Sequence, residues 1–156
     1  MSKNIELYKK TEQILFNAYF NGTLQHANCA ACAVGNIIAN NMGIKIIPDT
    51  SFGLSWEGYN PDEISAWARL LTFDKWSNTA VKMIESTGYT QNELTRIEYA
   101  FEGVRYKNWY KPNNIEDNMF NGLVAVLDVL KGIHELDSVE PEKERFKNHY
   151  LTLQPA

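Results

Sequence analysis

The chain has 156 residues, is 44% hydrophobic and carries a formal charge of −4, the size of one ordinary domain with enough apolar content for a self-sufficient core. Its acidic balance sets up no broad positive field, which argues against duplex DNA or RNA as a partner. No apolar run approaches the ~20 residues that a membrane span requires, and the opening "MSKNIELYKKTEQ" lacks a signal-peptide core, so a soluble cytoplasmic protein with no membrane partner is expected.

Residues 5 to 20 set Leu7, Tyr8, Ile14, Leu15, Ala18 and Tyr19 at helical spacing among Lys9, Lys10, Glu12 and Gln13. This predicts an amphipathic helix ending at Gly22. Asn28 is a good cap for a second helix, "CAACAVGNIIANNM", with Gly43 just past its end. Small and apolar residues on nearly every side of it predict a helix surrounded by others. "IKIIPDTSFGLSW" then reads as a short strand or extended crossing, the one place for a β element, near residues 44–54.

Two stretches echo each other. "GYNPDEISAWARLL" from Gly58 and "GYTQNELTRIEYAF" from Gly88 each carry a capping box, Asn60 with Glu63 and Thr90 with Glu93. Between them a helix is expected to start near Asp74, turning Ala80, Val81 and Ile84 inward. Trp67 and Tyr99 fall on the inward faces of the capped helices. The longest helix runs from Ile115 to about His134, and Gly122 within it marks a close helix crossing. The fold class is therefore mainly α, a single-domain bundle of five or six helices with at most a small β element. Residues 1–136 form the domain, and the charged stretch 137–156 is a C-terminal helix or tail docking on it.

Three groups of residues could carry chemistry. In "LQHANCAACAVGN" Cys29 stands at the expected first position of a helix, where the dipole favours a thiolate. A glutamine before a cysteine-bearing helix and a later histidine loosely resemble cysteine peptidases of the papain and bacteriocin-leader kinds. That resemblance implies Gln25 at an oxyanion hole, Cys29 as nucleophile and His149 or His134 as base. The helical second half and the missing acid or amide after His149 depart from those families. In the same stretch His26, Cys29 and Cys32 have the spacing of three metal ligands, with a fourth needed from His134 or His149. A structural reading, with Cys32 as a small buried hydrophobe and His26 as a polar loop residue, competes with both.

The aromatic middle of the chain forms the third group. Trp56, Tyr59, Tyr106, Trp109 and Tyr110, mixed with Arg105, have the composition of a surface that stacks on a planar ligand or grips a protein. Glu98 and Glu102, one turn apart, read as solvated surface. Glycine-rich phosphate loops and H-E-x-x-H are absent from the sequence, so no cofactor is expected.

"CAACAVGN" at 29–36 together with "GYTQNELTRIEYAF" at 88–101 resembles a loose group of small uncharacterised proteins of bacteriophages and prophage-bearing bacteria. That resemblance implies a helical intracellular accessory factor with no catalytic residue to transfer, and it makes Cys29, Cys32 and Gly35 a structural motif in which Gly35 lets a neighbouring helix approach the one bearing the cysteines. The functional expectation is an accessory or binding protein for a small molecule or protein ligand. The competing expectations are a cysteine-dependent hydrolase and a homo-oligomeric structural protein without ligand.

Overall fold

The computed structural model describes residues 4–49, 53–107 and 115–136. Among them run α1 (Ile5–Asn21), α2 (Ala33–Asn41), β1 (Ile46–Asp49), β2 (Gly53–Trp56), α3 (Pro61–Ile64), α4 (Ala66–Phe73), α5 (Asn78–Ser86), α6 (Gln91–Lys107) and α7 (Ile115–Ile133). The mainly α class with a small β element is what the sequence predicts. The expected crossing segment is a hairpin, its antiparallel register running from Ile46 opposite Trp56 to Asp49 opposite Gly53.

The described residues hold seven helices rather than five or six because "PDEISAWARLL" is not one helix. Ser65 closes α3 with its backbone N–H on the Pro61 carbonyl and leads directly into α4. Both capping boxes form. Asn60 and Glu63 exchange bonds of 2.8 and 3.0 Å, Thr90 and Glu93 bonds of 3.1 and 2.8 Å, and each satisfies two amides that a helix start leaves open. The helix expected near Asp74 begins instead at Asn78, capped by Ser77. Asp74 is left-handed and ends α4, its N–H closing on the Leu70 carbonyl.

One hydrophobic cluster draws on every helix, with Leu15, Ile37, Trp67, Met83, Ile97 and Leu127 fully buried in it. Burying each such side chain contributes roughly 1.5–3 kcal/mol. Gly122 sits at a close crossing of α7 with α6, as its position suggests. A Cβ there would lie 2.9 Å from the Phe101 ring and 3.1 Å from His26 Nε2. Near its C-terminal end, buried His134 is 2.8 Å from the Tyr89 hydroxyl, which donates to Thr11 at 3.0 Å and so joins α7 to α1. Residues 137–156, the expected tail, lie outside the described residues. No helix among the described residues is long and apolar enough to cross a membrane.

Candidate functional site

The stretch before α2 is a clamped turn, and this corrects the helix start expected at Asn28. The Asn28 side-chain oxygen accepts the Ala30 N–H at 2.9 Å, and its carbonyl accepts the N–H groups of Ala31 and Cys32 at 3.0 and 2.8 Å. An asparagine that binds its own neighbours in this way stabilises a turn in place of continued helix. Cys32 is then the cap of α2, its sulfur accepting the Gly35 N–H at 3.3 Å. Cys29 therefore precedes the helix by a full turn, and the dipole argument for a thiolate there does not hold.

Side chains from three other elements fix this turn. The Trp56 indole at the end of β2 donates to the Ala30 carbonyl at 2.8 Å, and the Trp67 indole on α4 donates to the Cys29 carbonyl at 3.2 Å. Buried Asn36 on α2 donates to the carbonyls of Thr23, Ala31 and Cys32 at 2.8 to 3.0 Å. Gly35 lets the turn fold down onto α2, because a Cβ at that position would overlap the Cys29 carbonyl oxygen. Gly35 thus serves close approach, but of the turn in its own segment rather than of a neighbouring helix.

Beside the turn lies a cleft of about 290 Å³, walled by Ala27, Asn28, Cys29, Leu54, Asp62 and Ser65 among others. Ala27 is left-handed at φ 58°, a strained conformation for a residue with a Cβ. Its N–H is held by both carboxylate oxygens of Glu102, at 2.9 and 3.2 Å. Gln25 faces the hairpin side, its side-chain oxygen accepting weakly from Asn28 Nδ2 at 3.4 Å while that same amide donates to the Leu54 carbonyl at 3.2 Å.

Cys29 is half-buried and Cys32 fully buried, both as free thiols. Burial pushes the Cys29 thiol up, and Glu98 and Glu102 push it further, with Arg69 opposing them. Cys32 is driven well above its ordinary range, mainly by burial and next by Glu98. Both shifts disfavour the thiolate that nucleophilic attack or metal ligation needs.

The three residues spaced like ligands have separate tasks. His26 stacks on Phe101 with ring centroids 4.2 Å apart and places Nε2 3.0 Å from the Phe101 carbonyl oxygen. Cys32 caps α2. Among the described residues no group of three His, Cys, Asp or Glu side chains is arranged to hold a metal. His134 belongs to the buried contact with Tyr89, and His149 lies outside the described residues.

The aromatic group is divided. Trp56 is 1% exposed, committed through its N–H to Ala30, so it serves the core rather than a ligand surface. Tyr59 is half-buried, edge-on to Trp56 at 5.8 Å. Arg105 and Tyr106 occupy the last turn of α6, while Trp109 and Tyr110 lie outside the described residues. Trp67 is buried as expected, but Tyr99 is 72% exposed and joins Phe73 and Trp76 as a solvent-facing aromatic.

Glu98 and Glu102 are the residues that sequence reasoning missed. Glu102 ties α6 to the Ala27 backbone, and Glu98 lies against the cysteine turn. Burial above all, then Glu102, pushes the Glu98 carboxyl up to about 7, with a hydrogen bond from Cys32 partly offsetting the rise. A helical-wheel signal exists: Glu98 falls between Leu94, Ile97 and Phe101, all fully buried, so it borders the apolar stripe. Comparison with family models, curated proteins and solved structures returns no match to this chain.

Proposed function

We propose that this is a binding protein that takes a small molecule, or a few side chains of a protein, in the cleft beside Cys29. The single observation behind this reading is the clamped turn. Two tryptophan indoles, Asn28 and Asn36 hold its backbone in place, and a wall fixed before binding spares a ligand the cost of ordering it. At about 290 Å³ the cleft sits at the small end of ligand pockets, which run from roughly 300 to 1,000 Å³. The raised Cys29 thiol favours binding over the hydrolase alternative. The resemblance to phage proteins adds no residue to this cleft.

A fluorine-labelled fragment library, screened by ¹⁹F NMR against the native protein and against protein carbamidomethylated at Cys29, tests the proposal. Alkylation places an amide in the cleft mouth, so fragments that bind the native protein should be displaced. A screen without hits, or hits indifferent to alkylation, would count against it.

A further inference from the structure

A second, smaller cavity of about 60 Å³ lies between α4 and α6, lined by Trp67, Leu71, Thr95, Glu98 and Tyr99 among others. Its polar groups are matched to a cationic donor. Glu98 Oε1 is buried and has no hydrogen-bond partner among the described residues. The Thr95 hydroxyl spends its proton on the Gln91 carbonyl at 2.9 Å, which leaves its lone pairs as acceptors. The Trp67 N–H is committed to Cys29, so Trp67 and Tyr99 offer the cavity aromatic surface, which attracts cations.

Among the described residues no cation is paired with this carboxyl. Arg69, on the α4 side, binds the Ser65 hydroxyl and the Asp62 carbonyl. The other titratable groups acting on this corner are Glu102 on α6, which adds negative charge, and the Cys29 and Cys32 thiols, which burial keeps neutral. A buried carboxyl without a counter-charge costs folding free energy. We propose that the α4–α6 cavity is a binding site for a primary ammonium group, with Glu98 as its counter-charge, Thr95 as a second acceptor and Trp67 and Tyr99 as its aromatic walls.

The volume fits this class of ligand. A water requires roughly 10–15 Å³ of such space, so the cavity accommodates a methylammonium ion or the tip of a lysine side chain but no nucleotide or sugar. An ammonium group donates three hydrogen bonds and carries the missing charge, which neither water nor an alcohol does.

The test is a titration followed in ¹⁵N–¹H NMR spectra, with methylammonium, Nα-acetyl-lysine amide and methanol as probes. At pH 8 methylammonium should shift the amides of Thr95, Glu98 and Tyr99 saturably, and methanol at equal concentration should not. Lysine amide binding as well would point to a protein lysine as the source, and methylammonium alone to a free amine. Lowering the pH to 5.5 protonates Glu98 and should weaken binding about tenfold or more, and Glu98→Gln should weaken it similarly at pH 8. Absence of saturable shifts at these amides, equal response to methanol, or affinity unchanged at pH 5.5 would overturn the site. The probe and pH comparisons use the native protein, so the test stands even where the variant does not fold.

Discussion

Glu98 is where residue-level energetics and sequence reading part most sharply. One turn from Glu102, it reads as surface. The fold places it against Cys32, from a distant part of the chain, and no local pattern encodes that meeting. In the unfolded chain its carboxyl ionises near the ordinary 4.5, whereas in the fold it ionises near 7. Between these values the folded state holds a proton that the unfolded state has released, so stability falls as pH rises through this window and levels off above it. The loss amounts to on the order of 3 kcal/mol. Urea unfolding from pH 4.5 to 8 should show this decline, and Glu98→Gln should flatten it and make the protein more stable at pH 8. A variant whose slope matches the native protein would show that Glu98 is not the group responsible. Cys29 teaches the converse lesson. Its neighbours in sequence suggest an activated thiol, whereas burial and two carboxyl groups near it in space hold it above the ordinary thiol range.

At the scale of elements, features that depend on near neighbours were legible. The capping boxes, the helix-ending glycines Gly22 and Gly43, both at positive φ, and the apolar face of α1 all follow from residues within a turn or two. Thr90→Ala removes the side-chain acceptor for the Glu93 N–H and should lower stability by about 1 kcal/mol, measured as a shift in the urea midpoint with unchanged slope. No shift would mean that the box is dispensable to α6. Boundaries set by competing local bonds were less legible. Asn28 could cap a helix or close a turn on itself, and the choice fell to Trp56, Trp67 and Asn36, which hold the turn from elsewhere. Asp74 likewise could open a helix, but its left-handed backbone closes one. The break at Ser65 divides a continuous apolar pattern and has no composition signal such as glycine or proline at the break itself.

For the molecule as a whole, composition and helical periodicity were enough to establish a mainly α fold around one hydrophobic cluster, because both sum over many residues. They did not reveal which loops would meet. The cleft beside Cys29 is assembled from the turn before α2, the β hairpin and the start of α3, and the α4–α6 cavity from helices that are not adjacent in sequence. The cysteine turn walls the cleft and Trp67, whose indole holds that turn, walls the cavity, so one clamped segment links the two candidate sites. On the proposed function this segment is a scaffold for binding and not a reactive centre. Iodoacetamide labelling against pH, read by intact mass and peptide mapping, tests it most directly. Cys29 should react alone, more slowly than a free thiol and with a midpoint above the usual ~8.5, while Cys32 stays unmodified in the folded protein. Rapid alkylation of Cys29 with a midpoint below 7 would instead restore the nucleophile and rule out the scaffold role.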